Sequence, residues 1–289
     1  MYQEVTIPTV DPGMKPLTYL ILILAFVTSS VNAQHDETYF KTNAIRIVNP
    51  ENLNNSIYDL LSPYQIIMFG EMHGTNESAP FVKGLVNLFT RNGDSVLVGL
   101  EIPSLMMSKF DSLHTDSSIY QSVFFTHFPP VSGKESLPWA ALISYLNSMQ
   151  NVRIFFFDVN DGECNINERD SLMAAKTKSQ FEKHPDWKIV TLSGNYHNRI
   201  SDPSSMTSVL KRNISAKICS LNMEYNEGSV NANFGKGLEI KRLGSYPSFT
   251  NSTEGFHRYI LLQLPQSNYD YDGFYYTKSI TPAKMTTSE

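Results

Sequence analysis

The chain has 289 residues, 41% hydrophobic and 18% charged, with a formal net charge of −5. That length allows one large domain with a substantial core, or two small ones. An acidic balance with no basic run carries no electrostatic footprint for nucleic acid. Two cysteines, Cys164 and Cys219, are too few and too far apart for a thiolate metal site; an exported protein permits a disulfide between them, and free thiols serve equally well.

In chain order, Met14-Lys15 precedes an apolar stretch from Leu17 to Val27, which gives way to Thr28-Ser29-Ser30-Val31-Asn32-Ala33-Gln34. One positive charge, a short apolar stretch and small residues at Val31 and Ala33 predict a secretory signal over residues 1–33, with Met14 as an alternative start. The stretch is shorter than the roughly 20 apolar residues of a membrane span. The expectation is an exported protein, periplasmic or secreted, with no stable membrane span after cleavage. Residues 34–289 would then form a single α/β domain.

Pro50 to Leu61 suits a short helix stopped by Pro63. The apolar run Gln65 to Gly70 then ends in Glu71-Met72-His73-Gly74-Thr75-Asn76-Glu77. Ser78 to Arg91 has a helical apolar period closed by Asn92-Gly93, and Val96 to Leu100 ends in Glu101. No strand-like run occurs between Pro103 and Gln150; Leu105–Leu113, Ser118–Phe128 and Trp139–Met149 read as a helical insertion. Val152 to Phe157 ends in Asp158, and Asn167 to Lys183 is helical up to His184-Pro185. Lys188 to Leu192 runs into Ser193-Gly194-Asn195-Tyr196-His197-Asn198, a short helix spans Pro203 to Arg212, and Ile218 to Met223 ends in Glu224. Gly228 to Gly255, rich in Gly, Ser and Asn, reads as a long loop or lid. Arg258–Leu264 and Asp272–Lys278 read as last strands, antiparallel at an edge. This alternation predicts a three-layer α/β/α sandwich around a mainly parallel sheet, with the helical insertion over the C-terminal edge of the strands.

Open α/β sheets bind ligands at that edge, and five of the apolar runs stop there on polar side chains. Glu71 and His73 are two apart, so in extended backbone both face one cleft. A carboxylate beside an imidazole orients the ring and raises its basicity, as a general base requires. Glu101 and His197 reach the same edge. Asp158 divides between loop-capping and site roles, and Glu77 between the site and a favourable helix-dipole charge. Glu224 reads as well as a solvated strand-end charge. Arg169, in Glu168-Arg169-Asp170, can pair with a strand-end carboxylate and keep it ionised. The serine-hydrolase elbow, the Walker loop, the dinucleotide-binding glycine motif and the H-E-x-x-H motif are all missing.

These residues resemble the erythromycin esterase/ChaN-like superfamily, related to the Tiki/TraB-type proteins. The matching pieces are Gly70 to Glu77, Gly99-Leu100-Glu101, Arg169 to Ala174, Leu192 to Asn198, and Tyr271 to Tyr276. They lie in the family's order between about Gln65 and Pro282. The short G-E-x-H spacing is that of the haem-binding ChaN branch, whereas the following H-G-T-x-E is esterase-like. The resemblance implies a site of Glu71, His73, Glu101 and His197, with Arg169 and Asp272 in support; Glu77, Asp158, Asn195 and Tyr196 are further supporting candidates.

The reading taken is a hydrolase of a small ester, lactone or amide. His73, or Glu71 acting with it, would deprotonate water, Glu101 would orient the ring or share the proton, and His197 would stabilise the oxyanion or protonate the leaving group. The rivals are a haem or other ligand carrier with Tyr196, His197 or His73 as axial ligand, and a metal-dependent peptidase with Glu71, His73, Glu101 and His197 as ligands. The sequence requires no cofactor; a divalent metal or haem enters only with those rivals.

Overall fold

A computed structural model describes residues 39–110, 119, 122–126, 132–159, 168–233, 237–244, 257–262 and 269–286. The expected signal over residues 1–33 and Cys164 lie outside the described residues; Cys219 is buried and free. The chain divides into two units, Met1–Asn43 and Ala44–Glu289. In the first, residues 39–43 form a helical turn. The second carries everything that follows.

In chain order its main elements are β1 (Ile45–Arg46), α1 (Asn55–Leu61), β2 (Ile66–Glu71), α2 (Ser78–Arg91), β3 (Val96–Pro103), α3 (Leu137–Asn147), β4 (Val152–Asp158), α4 (Arg169–Lys183), β5 (Lys188–Gly194), α5 (Met206–Asn213), β6 (Ile218–Asn233), β7 (Leu238–Leu243), β8 (Arg258–Leu262) and β9 (Gly273–Ile280). A 3₁₀ turn, Asn195–Asn198, follows β5 directly. Asn54 and Ser205 cap α1 and α5, each accepting from a backbone N–H three residues on.

The nine strands form one sheet in the order β1-β8-β9-β6-β2-β5-β3-β4, with β7 paired to β6. From β9 to β4 every neighbouring pair is parallel, whereas β1–β8, β8–β9 and β6–β7 are antiparallel. The sheet is thus mixed, parallel through its centre. Parallel strands buried on both faces need apolar residues at successive positions, and all six residues of β2 are buried.

Alternate strand residues divide between two cores, as the pleat requires. Ile67, Phe69, Val98, Leu100, Val190 and Leu221 pack with Ile57, Leu61, Phe81, Leu85 and Leu142 from α1, α2 and α3. Ile66, Met68, Leu97, Phe155, Ile189 and Ile218 pack with Met173, Met206 and Leu210 from α4 and α5. Helices on both faces of one sheet make the three expected layers. Among the described residues of the insertion, the segment 132–136 and the first turn of α3 reach the strand ends, through Lys134 and Trp139; most of 111–131 lies outside the described residues.

One expectation is overturned. The span from Gly228 to Gly255 is not a loop throughout: β6 continues to Asn233 and returns as β7, pairing Gly228↔Leu243 through Asn233↔Leu238. Gly228 there marks a close backbone approach. A Cβ on Gly228, at φ +144°, would lie 2.0 Å from the Ile280 carbonyl oxygen. The rest of the span, 245–256, lies outside the described residues.

Candidate active site

Parallel register brings the polar strand ends together: Glu71 pairs with Gly194 at the end of β2 and β5, and β3 lies on the other side of β5. Glu71 and Glu101 are almost wholly buried, at 1% and 2% exposure. Buried carboxylates need partners, and here the partners form one network.

His73 Nδ1 lies 2.8 Å from Glu71 Oε1, which also accepts from Trp139 Nε1 at 3.1 Å. His73 Nε2 lies 3.4 Å from Glu101 Oε2, and that oxygen accepts the Gly194 backbone N–H at 2.6 Å. Glu101 Oε1 accepts from Lys134 Nζ at 3.0 Å and Arg169 Nη2 at 2.7 Å. Arg169 also grips Asp158 through Nε at 2.9 Å and Nη2 at 2.8 Å. On the far side, His197 Nδ1 lies 2.6 Å from Asp170 Oδ1, while Asp170 Oδ2 accepts from Met206 N at 3.0 Å and so ties α4 to the start of α5.

Both rings converge on Gly194. A Cβ there would lie 3.0 Å from His73 Nε2, 3.6 Å from Glu101 Oε2 and 3.6 Å from His197 Cδ2. Only a residue without a side chain leaves room for a small reactant between them. The loop bearing His73 is held by Gly74, whose carbonyl accepts from Asn231 N and Ala283 N. Gly74 has φ +79°, and a Cβ would meet Asn231 O at 2.1 Å.

The electrostatics follow from this packing. Burial pulls the His73 imidazole down, but Glu101 and Glu71 overcome it and push it up to about 9. Burial likewise opposes charge on His197, and Glu101 and Asp170 push it up to about 9. Burial raises the Glu101 carboxyl, yet Lys134 and both imidazoles hold it well below the usual carboxylate range. Asp158 is raised by burial and brought below its ordinary value by Arg169 and Lys134. For Lys134, burial works against the ammonium, and Glu101 with Asp158 more than restores it. Four carboxylates (Glu71, Glu101, Asp158, Asp170) thus meet four basic side chains (His73, Lys134, Arg169, His197), balanced when both imidazoles are charged.

The structure brings Glu71, His73, Glu101, Asp158, Arg169 and His197 into one network. Asn195 is buried beside it, with its carbonyl accepting from Tyr271 Oη at 3.1 Å. Tyr196 points outward, 66% exposed, under the Arg199 guanidinium. Two of the sequence candidates stand apart. Glu77 bonds to Thr281 N at 3.0 Å and fastens the start of α2 to the chain after β9. Asp272 pairs with Lys211 at 2.7 Å and accepts from Ser220 N at 2.8 Å. Glu224, considered from the sequence, is buried and accepts from Tyr269 Oη. The sequence reading missed Lys134, Trp139 and Asp170. Of these only Asp170 carried a signal, as the residue adjoining Arg169.

The donor set does not suit a divalent cation. Both Glu101 oxygens and both Asp158 oxygens already accept from Arg169, Lys134 or backbone N–H, so an ion among them would meet two fixed cations. Among the described residues no group of three or more His, Cys, Asp or Glu side chains is arranged to hold a metal. Nor is either of these two imidazoles set out for haem iron. Both His73 nitrogens face carboxylates, and His197 Nε2 faces Arg169 Nη1 at 3.3 Å.

No protein-family model matches the sequence, and no curated protein matches it. Solved structures do. A mutant of the erythromycin esterase EreC, in its open conformation, superimposes with a TM-score of 0.59 at 12% identity, covering 83% of this chain and 97% of that one. A Bacillus cereus protein gives 0.55 at 10% identity over 88% and 99% of the two chains. A succinoglycan biosynthesis protein gives 0.53 at 8% identity over 88% and 98%. The haem-binding ChaN of Campylobacter jejuni overlays more loosely, at 0.40 with 13% identity over 66% and 91%. Likeness at these identities speaks to architecture alone. The chain has the fold of the erythromycin esterases and their structural relatives.

Proposed function

We propose that this chain is an exported hydrolase that cleaves a small ester, lactone or amide with water activated by its glutamate–histidine network. One observation supports the reading: two imidazoles, each backed by its own carboxylate, both come up against Gly194. That is the arrangement a water-mediated acyl transfer needs, one ring to take a proton and one to give it. Water oxygen bonds to the acyl carbon and its proton passes to the neutral ring. The bond to the leaving oxygen or nitrogen then breaks, and the imidazolium supplies that atom with a proton. The Arg169 guanidinium, a quarter exposed beside the rings, supports the charge that builds on the carbonyl oxygen.

The test is a panel of esters, lactones and amides offered to the wild type and to His73→Ala, with and without a chelator. The expected result is turnover that the chelator leaves unchanged and the substitution reduces by at least about 100-fold. Turnover equal in both proteins would dispose of the reading.

A further inference from the structure

The two rings are held by different kinds of partner. Both His73 nitrogens face carboxylate oxygens, Nδ1 at 2.8 Å from Glu71 and Nε2 at 3.4 Å from Glu101. A carboxylate only accepts, so this ring is satisfied when it carries both protons. His197 is satisfied otherwise. Its Nδ1 lies 2.6 Å from Asp170 Oδ1, but its Nε2 lies 3.3 Å from Arg169 Nη1, and a guanidinium has no lone pair to offer. The other group near that nitrogen is Glu101 Oε1 at 3.6 Å, an oxygen already accepting from Lys134 and Arg169. A proton on His197 Nε2 would set N–H against N–H. Without it, Nε2 accepts from Arg169 while Nδ1–H donates to Asp170.

We infer that His197 is the base of the proposed reaction and His73 its acid, with Asp170 and Arg169 as positioning residues that fix the His197 tautomer. The inference rests on the hydrolase reading and reverses the division of labour that the sequence motif suggests. Water displaces the Arg169 N–H from His197 Nε2, gives its proton to that nitrogen, and its oxygen bonds to the acyl carbon. His73, imidazolium throughout that step, donates from its cleft-facing Nε2 to the leaving atom. The proton gained by His197 then restores His73 as product departs. Carboxylates raise the proton affinity of both rings, so the free protein reaches the reactive form only as pH rises. The first proton to leave is the one on His197 Nε2, the nitrogen abutting a fixed cation.

Histidine-labelled full-length protein, followed by ¹⁵N NMR from about pH 6 to about pH 11, tests this directly. His73→Gln and His197→Gln assign the signals. The expected result is that His197 titrates at least about one pH unit before His73, with the change at Nε2 and the Nδ1 proton retained. Titration of His73 first, of both together, or at His197 Nδ1 would overturn the assignment. Arg169→Lys, which keeps the charge and removes the planar fork, should narrow the gap between the rings; an unchanged gap counts against a positioning role for Arg169. This readout needs no substrate. A protein that hydrolyses nothing yet titrates in this order removes the hydrolase reading and leaves the tautomer assignment standing. A protein that hydrolyses, but in which His73→Gln rather than His197→Gln abolishes the rise of kcat/KM with pH, keeps the hydrolase and removes the assignment.

Discussion

Replacing Lys134 by methionine removes a charge whose burial makes it expensive to lose. Its ammonium is 8% exposed and lies 3.0 Å from Glu101 and 3.4 Å from Asp158. At an effective dielectric near 20 the two contacts amount to about 10 kcal/mol of gross attraction, opposed by several kcal/mol for taking the ammonium out of water. Methionine keeps most of the side-chain bulk but leaves two buried carboxylates sharing Arg169. Breaking such a cluster costs about 3–5 kcal/mol. Lys83→Met is the control: its pair with Glu51 is shorter, at 2.7 Å, but 27% and 45% exposed, and pairs of that kind are worth about 0–1 kcal/mol. Urea unfolding of both variants near neutral pH measures the contrast. The Lys134 penalty should also shrink in acid. Glu101 and Asp158 have depressed folded values, so their stabilisation exists above the unfolded carboxylate range and disappears as pH falls through the folded one. A cost under about 1 kcal/mol, or one that ignores pH, would refute the view that Lys134 is the counter-charge of this network.

Other outcomes follow from the same geometry. Neighbouring carboxylates push both imidazoles, His73 and His197, up from their ordinary value towards about 9, so their stabilisation is complete below about pH 6.5 and is lost as pH rises through each ring's folded value, His197 first, by roughly 3 kcal/mol per ring at most. Unfolding free energies of wild type and His197→Gln should therefore converge on the alkaline side. Gly194→Ala suits the backbone, at φ −57° and ψ 142°, but sets a methyl 3.0 Å from His73 Nε2. We expect turnover to fall by at least about 100-fold while the melting temperature moves by no more than a few degrees. Gly74→Ala sets a Cβ 2.1 Å from Asn231 O at a positive φ. A loss of about 2–4 kcal/mol in urea unfolding is expected.

The strand ends were legible because each apolar run stops abruptly on a polar side chain, and parallel register aligns those stops. Lys134 was not legible. It sits in Ser132-Gly133-Lys134-Glu135-Ser136, which has the composition of a solvated turn, and its partners lie 33 and 24 residues away. Asp170 was hidden by its neighbour, since one carboxylate in the first turn of a helix looks like any other until the ring it faces is known. Asp272 was misleading for a register reason. Gly273 shares a row with Leu221, and Leu221 with Phe69, so Asp272 falls short of the row carrying Glu71. The pairing of β6 with β7 was missed because β7 is exposed on both faces, and period alone does not separate such a ribbon from a loop.

The knot of bonds around Gly74 reaches further than its own turn. Asn76 N donates to Thr281 O, Ala283 N to Gly74 O, and Thr75 bridges Pro282. The segment just past β9 therefore acts as a strap across the histidine loop, although it shares no residue with the network. Trimming the chain back to Ile280 would slacken that strap while leaving every sheet pairing in place, so reactivity should fade well before the fold gives way.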